Sequence, residues 1–359
     1  MKKVKGDMSQ LGVALLKWYD QNKRDLPWRQ TSDPYQIWVS EIMLQQTRVE
    51  AVLEKYRRFI VALPRVVDLA VASEEDVLGL WQGLGYYSRA RNLHKAAKQV
   101  SEQYDGVVPR DYGVFRSLSG VGEYTANAVF SIAFQEPYLA MDGNLLRVAS
   151  RLFAVSENIT TKSAKNHLKD LLEPYLSRTR PGDFNQALMD LASAICLPKK
   201  PRCQGCPLIW YCQAEKLSMA EALPNRSNGK AVPVVPVTIF VFYNKNGEIL
   251  IRRRNDGAFL QGLWELPWVE QVPTEQVSET SPKYQIRDAL TSYTFSHKQW
   301  LIQLRQCSVS QLEMDTSPEK WVDPILVEPT PNSEYQWVSV DQLGQYPMST
   351  VFRHVFSLV

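Results

Sequence analysis

The sequence predicts two domains: an all-α domain over residues 1–215 that ends in a four-cysteine loop, and an α+β domain over residues 233–359, joined by a linker over 216–232. Three observations predict this. No convincing strand pattern precedes residue 230. Four of the five cysteines fall within residues 196–212. After a polar stretch containing Pro224, Asn225, Ser227, Asn228 and Gly229, the pattern changes to the alternating Val, Thr, Ile and Phe of residues 233–243.

A chain of 359 residues carries a soft prior of two domains, and 45% hydrophobic with 22% charged residues is an ordinary globular composition. The net charge is only +3, so affinity for nucleic acid has to come from local patches. No run of about 18 apolar residues is present, so nothing reads as a membrane span. The lysines at 2, 3 and 5 precede no apolar stretch, so no signal peptide is read. A disulfide-stapled secreted protein would not cluster its cysteines in this way; an intracellular metal or cluster site would. The ten Trp and sixteen Tyr can stack on bases or fill cores.

Residues 8–22 read as an amphipathic helix with Leu11, Ala14, Leu15 and Trp18 on one stripe. The Pro-interrupted loop Arg24-Asp25-Leu26-Pro27-Trp28-Arg29 follows and sets an aromatic ring beside a guanidinium. Asp33-Pro34 is a helix start, an acceptor cap followed by proline in the first turn. In the helix running on to Gln46, Glu41 is the odd residue. Its neighbours three and four positions away include Ile37, Trp38, Leu44 and Gln45. Desolvation there raises a carboxyl pKa, which suits a general acid or base, although a structural hydrogen bond would also satisfy it. Gln45, Gln46 and Thr47 close the helix with polar groups able to reach bases.

Helices are also expected over 48–63, 74–81 and 88–104. The last is basic, with Arg89, Arg91, His94, Lys95 and Lys98, and follows a Gly-punctuated turn that exposes Tyr86 and Tyr87. Residues 118–147 then organise the remainder. A helix over 111–117 leads into the Gly120-Val121-Gly122 turn, a second helix spans 124–134, and Asp142-Gly143-Asn144 opens a third over 145–153. Glycines in such a turn free backbone N–H groups to point outward. At a helix N-terminus they make an anion site, for which a DNA phosphate is the obvious occupant. Further helices are expected over 160–176 and 183–195.

The spacing Cys196-x6-Cys203-x2-Cys206-x5-Cys212 gathers four thiols in a proline-bounded loop, suited to a [4Fe–4S] cluster or to tetrahedral zinc. Zinc sites usually show two Cys-x2-Cys knuckles, and here there is one. Lys199, Lys200 and Arg202 make this loop basic. In the second domain, residues 233–243 and 248–253 form a hairpin pattern. Strands are expected at 300–307 and around Trp321 and Trp337, with short helices over 341–346 and 349–357.

The Gly-x-Gly turn over about 111–134 followed by Asp142, together with the cysteine spacing, resembles the helix-hairpin-helix, endonuclease III superfamily of DNA glycosylases. Over almost its full length the chain is similar to the MutY family of adenine DNA glycosylases. That resemblance implies a [4Fe–4S] cluster on Cys196, Cys203, Cys206 and Cys212, and a Nudix-like second domain. Gly262-Leu-Trp-Glu265-Leu-Pro267 is the Nudix-like trace, but no run of clustered glutamates follows it, so nucleotide hydrolysis by this domain is not expected. The resemblance makes Phe295-Ser296-His297 the loop that recognises 8-oxoguanine, with Ser296 the key contact. Where bifunctional relatives carry a Schiff-base lysine, this chain has Tyr124, and a phenol cannot form an imine.

The reaction implied is removal of adenine from 8-oxoguanine:adenine or guanine:adenine mispairs in double-stranded DNA during base excision repair. The adenine is flipped into a pocket of Trp28, Arg29, Glu41 and Gln186. A protonated Glu41 gives its proton to N7 of adenine, while an ionised Asp142 at its helix N-terminus stabilises the oxocarbenium ion. Asn144 orients one of the two acids, and Tyr124 stabilises developing charge or an intermediate. Gln46 and Tyr86 wedge into the duplex, and Gly120 and Gly122 hold the phosphate. A monomer in the bacterial cytoplasm, associated with the nucleoid, is expected. The rival readings are a bifunctional glycosylase/lyase and a non-catalytic iron–sulfur DNA-binding protein.

Overall fold

The computed structural model of the chain describes residues 8–227, 231–254, 260–270, 289–295, 298–309, 334–356 and 358. It divides into two compact units, residues 1–71 with 92–229 and residues 72–91 with 230–359. The Trp321 strand, the stretch 272–280, and Ser296 and His297 lie outside the described residues.

The helices are α1 (Leu11–Asn22), α2 (Pro34–Leu44), α3 (Val49–Ala62), α4 (Val66–Val71), α5 (Glu74–Trp81), α6 (Ser88–Gln103), α7 (Tyr112–Ser117), α8 (Glu123–Ala133), α9 (Gly143–Leu152), α10 (Lys162–Leu172), α11 (Pro181–Ala194), α12 (Gln213–Lys216) and α13 (Thr350–Phe356). Their starts follow capping chemistry. Asp33 accepts from the Tyr35 amide with Pro34 at the first position, Asp111 from Val114, and Thr161 from Ala164. Two departures from the sequence reading have local causes. The helix expected over 160–176 ends at Leu172, because Pro174 forces the 3-10 turn Glu173–Tyr175. Helix α4, only six residues long, is too short for its periodicity to be seen. In the first unit α1, α9 and α11 share a core of Leu11, Leu15, Leu145, Ala149, Phe184 and Leu188, all fully buried.

The second unit is built on a seven-stranded mixed sheet. Strands β1 (Val234–Tyr243) and β6 (Gln299–Ser308) run parallel, with Val234 opposite Gln299 and Tyr243 opposite Ser308. Strand β2 (Ile249–Arg253) lies between β1 and β3 (Trp264–Glu265) and also pairs with β7 (Glu334–Val338); β4 (Trp268–Glu270) joins β1, and β5 (Ala289–Thr294) joins β6. Its core stacks Trp264, Trp268 and Trp300 against Phe352 of α13. The carboxylate of Glu265 in the Nudix-like trace is wholly buried. It accepts from Arg252 Nε at 2.9 Å, Arg254 Nε at 3.2 Å and Trp268 Nε1 at 2.9 Å. It is thus spent on the fold. Helix α5 and the turn after it belong to this unit: Trp264 Nε1 donates to Glu75 Oε1 at 3.2 Å, and the Tyr87 hydroxyl donates to the Met348 carbonyl at 3.0 Å. Among the described residues no helix is long and apolar enough to cross a membrane.

The hairpin turn between α7 and α8 is fixed from α6. The Ser119 amide donates to Gln99 Oε1 at 3.0 Å, and Gly120, at φ +76°, passes so close that a Cβ there would lie 2.6 Å from Asn92 Cβ. Gly122 caps α8 at an ordinary φ of −88°, and a Cβ there would meet nothing within 4 Å. The two glycines therefore do different work. We expect Gly120→Ala to lose roughly 1–3 kcal/mol in thermal or urea unfolding. Gly122→Ala should stay within about 0.5 kcal/mol of the parent.

Candidate active site

Glu41 lies on the buried face of α2, 5% exposed. The Tyr124 hydroxyl, at the first turn of α8, donates to its Oε2 at 3.0 Å. Burial pushes the Glu41 carboxyl up to about 7; the Tyr124 hydrogen bond opposes this, the nearby Asp142 charge adds to it, and Arg29 opposes it. The phenol of Tyr124 is itself raised well above its usual value, by burial and then by the charge of Glu41. Beside Tyr124, Thr125 Oγ1 accepts from Gln45 Nε2 at 3.2 Å, which ties the end of α2 to α8.

Asp142 has the opposite environment. It is the N-cap of α9: its Oδ1 accepts from the Asn144 amide at 2.9 Å and the Leu145 amide at 2.7 Å. Its Oδ2 accepts from Asn144 Nδ2 at 2.9 Å. Asn144 thus orients Asp142, and its own Oδ1 accepts from Arg147 Nη1 at 3.0 Å.

The loop before α2 presents Trp28 and Arg29. Trp28 is buried edge-on against Tyr56, with ring centroids 5.2 Å apart. Arg29 is held bidentately by Asp190 of α11, Nη1 at 2.7 Å and Nη2 at 3.1 Å, and lies over the Tyr19 ring. Among the described residues its buried Nε has no acceptor. Gln186, 8% exposed, stands one turn before Asp190 on the same face of α11. Asp190, Arg147 and Arg151 are the site residues that sequence reasoning missed. Spacings of four from Gln186 to Asp190, and from Arg147 to Arg151, were the available signals.

The four cysteines line one small cavity of about 30 Å³ together with Arg151, Ile195, Ile209 and Glu215. Four thiols around one cavity are a donor set able to hold a metal centre. Burial pushes the Cys203 and Cys206 thiols up to about 12. Two guanidiniums, 5% and 2% exposed, face the loop. Arg147 donates to the carbonyls of Cys196 and Ala192, each at 2.9 Å. Arg151 donates to the carbonyls of Leu223 at 2.8 Å, Leu197 at 2.6 Å and Pro198 at 3.0 Å, and to Cys196 Sγ at 3.4 Å. Neither forms an ion pair with a carboxylate among the described residues. Buried cations need counter-charge, which four thiolates holding an anionic cluster would supply.

Gln46 and Tyr86 both hold left-handed backbone, at φ +56° and +47°. Tyr86 is 43% exposed, with the Arg89 guanidinium 5.5 Å from its ring centroid. Phe295 packs edge-on against Tyr293 and Trp300, with centroids 4.9 and 5.0 Å away.

Two family models match: HhH-GPD superfamily base excision DNA repair protein over residues 39–174, and NUDIX domain over residues 238–358. Among curated proteins, an adenine DNA glycosylase of Mus musculus is 37% identical over 75% of this chain and 62% of its own length. One from Buchnera aphidicola subsp. Acyrthosiphon pisum is 30% identical over 79% of this chain and 81% of its own. The chain spans 42% to 62% of the length of the rodent, human and plant relatives it matches. Among solved structures, a thermostable thymine-DNA glycosylase is 30% identical with a TM-score of 0.52, over 57% of this chain and 95% of that one. A trapped endonuclease III–DNA covalent intermediate, 22% identical with a TM-score of 0.51, shares the fold over 60% of this chain and 99% of its own.

The raised Glu41 pKa makes stability depend on pH. The folded state holds this proton above the pH at which the unfolded chain releases it, so stability falls as pH rises from about 4.5 to about 7. Glu41→Gln, neutral throughout, removes that slope. Its unfolding free energy relative to the parent should climb between pH 5 and 8, by an amount on the order of 3 kcal/mol. Differential scanning calorimetry across that range checks it, and a constant difference would contradict it.

Proposed function

The chain belongs to the adenine DNA glycosylase family, and from that premise we propose that it is a monofunctional glycosylase that hydrolyses the N-glycosidic bond of adenine mispaired with 8-oxoguanine or guanine in duplex DNA. The observation that carries this reading is the Tyr124 hydroxyl on Glu41 Oε2. It puts a phenol, not an amine, at the start of α8, and it commits one oxygen of Glu41 to accepting. The acid proton then belongs on Oε1.

In this mechanism the adenine enters beside Trp28, with Arg29 Nε and Gln186 as polar contacts. Glu41, kept protonated by burial, donates to N7, so the base leaves neutral. Asp142, ionised at its helix N-terminus, faces the oxocarbenium ion, and Asn144 fixes its orientation. The deprotonated Glu41 then takes a proton from the incoming water. Gly120, Gly122 and the first amides of α8 hold a phosphate, and Gln46 and Tyr86 enter the stack beside the lesion. Phe295, Ser296 and His297 read the 8-oxoguanine. Cys196, Cys203, Cys206 and Cys212 would hold a [4Fe–4S] cluster, which would tie the loop together when bound. The expected setting is the cytoplasm, on nucleoid DNA, as a monomer.

A single-turnover assay on a duplex with one 8-oxoguanine:adenine pair tests the reading, with an 8-oxoguanine:cytosine duplex beside it. Strand breaks should appear only after alkali and only at adenine. Breaks without alkali would mean lyase chemistry and refute the role given to Tyr124. Asp142→Asn should lower adenine release by at least about 100-fold while duplex binding is kept. If the parent binds duplex and releases no adenine, the non-catalytic reading replaces this one. Purified protein should be brown, and Cys203→Ser should bleach it and lower the melting temperature. An equal melting temperature with and without iron would contradict a structural cluster.

A further inference from the structure

Residues 134–142, between α8 and α9, form neither helix nor strand and carry Asp142 at their end. Leu139 and Ala140 in this segment are 1% and 0% exposed, so its peptide groups have lost water and need protein partners. Two asparagine side chains supply them. Asn127 of α8 is buried, and its Nδ2 donates to the Leu139 carbonyl at 2.7 Å. Asn185 of α11 is fully buried. Its Oδ1 accepts from the Ala140 amide at 3.1 Å, and its Nδ2 donates to the Tyr138 carbonyl at 2.8 Å. A carboxamide offers the same donor and acceptor as a peptide group, so the two side chains stand in for a neighbouring strand.

Both asparagines are themselves fixed. Asn185 Nδ2 also donates to Ser131 Oγ of α8 at 2.9 Å, and Asn127 Oδ1 accepts from the Tyr112 hydroxyl at 2.6 Å. Partners on both ends leave each carboxamide one orientation. Gly182, in the first turn of α11, lets that helix come this close to α8: a Cβ there would lie 2.7 Å from both Ile132 Cα and the Ser131 carbonyl oxygen. The same two helices carry other parts of the site. Tyr124, which donates to Glu41, opens α8, and Gln186 directly follows Asn185 on α11. Asp142 stands near enough for its charge to act on both Glu41 and Tyr124. The amides of α9 turn the Asp142 carboxylate. The bonds at Ala140, two residues earlier, tie the chain that carries it to α8 and α11.

We propose that Asn185, with Asn127 beside it, is a positioning residue that holds Asp142 at its working distance from the part of the site built on α8 and α11. The inference rests on the glycosylase reading for the role of Asp142. In that reading the carboxylate must face C1′ of the flipped nucleotide, and a displacement of about 1 Å costs on the order of 100-fold in rate. Asn185 touches neither base nor sugar. It acts through the backbone of residues 138–140.

Asn185→Ala in the full-length protein tests this with two readouts. The first is single-turnover adenine release from an 8-oxoguanine:adenine duplex under saturating protein. The second is affinity for two duplexes in which the nucleotide opposite 8-oxoguanine is replaced. One carries a neutral tetrahydrofuran, the other a hydroxypyrrolidine whose protonated ring nitrogen stands where C1′ would be. The ratio of the two dissociation constants reads the attraction of Asp142 for positive charge and needs no turnover. The parent should prefer the cation, and Asp142→Asn should lose that preference. Asn185→Ala should lower release and preference by roughly 10-fold each, with affinity for the tetrahydrofuran duplex kept. Tyr112→Phe removes only the hydroxyl on Asn127, since its ring still stacks on Tyr138 at 4.6 Å. It should move both readouts the same way by about 2- to 3-fold. Should Asn185→Ala fail to fold, Tyr112→Phe decides between the same outcomes. Leu69→Ala, at a fully buried position of α4, which carries no site residue, should lower the melting temperature and leave the preference unmoved. If Asn185→Ala lowers only the melting temperature, or weakens both duplexes by one factor, Asn185 serves the fold alone and the proposal is overturned. A parent without a preference for the cation overturns it too. A parent whose preference is lost in Asp142→Asn and lowered in Asn185→Ala, but which releases no adenine, would sink the glycosylase reading alone.

Discussion

Helix α9 is the constraint on which the candidate site depends. Its N-cap is Asp142, its second turn carries Arg147, and its last turn carries Arg151. Arg147 links the Asn144 side chain to the Cys196 carbonyl, so the residue orienting Asp142 and the first cysteine of the loop share one guanidinium. Arg151 then gathers Leu197, Pro198 and Leu223, and the Cys212 thiol donates to its carbonyl at 3.4 Å. Planar guanidiniums suit this task better than lysines would, because one side chain satisfies several carbonyls in a fixed fork. The beginning of the linker is fastened to the same frame. Asn225 Nδ2 donates to the Ser156 carbonyl at 2.6 Å, and the Ile159 amide donates to the Asn225 carbonyl at 3.1 Å. Cysteine loop, linker start and Asp142 are thus held by one short helix.

Against that frame, the two carboxylates are separated by environment. Glu41 is buried and has a phenol as its hydrogen-bond donor. Asp142 has two backbone amides and a side-chain amide. Desolvation disfavours charge on the first. The second is spent on the amides of its own helix start.

What the sequence disclosed and what it hid follow from contact range. Asp142 was legible because a cap acts on its own next two residues, and the four-cysteine loop because it is closed by local spacing. Glu41 was legible as a carboxylate out of pattern on an apolar helix. Asp190 was not, because its meaning comes from Arg29, separated from it by 161 residues. Arg147 and Arg151 carry their roles through carbonyls, which have no sequence signature at all. In the second unit the long strands β1 and β6 were visible as alternation. β3, of two residues, and β4, of three, are too short to show a period. The placement of α5 with the sheet was equally hidden, since an amphipathic stripe does not name the surface it packs on.

The backbone stores strain at two of the residues proposed to meet DNA. Gln46 and Tyr86 are ordinary side-chain residues in the left-handed region, where L-residues lose on the order of 1–2 kcal/mol. Each is held by its surroundings. At the end of α2, the Thr47 amide donates to the Leu44 carbonyl at 3.3 Å while Gln45 is tied to Thr125. In the turn before α6, the Arg89 amide donates to the Tyr86 carbonyl at 2.9 Å, and the Arg89 side chain donates to the carbonyls of Leu84 at 3.0 Å and Gly85 at 3.1 Å. A glycine at either position would relieve the strain and lose the side chain. Asp105, Gln135, Ala154, Lys200, Ser218 and Leu260 also hold left-handed backbone, so the strain at Gln46 and Tyr86 is a local constraint of turns and helix ends.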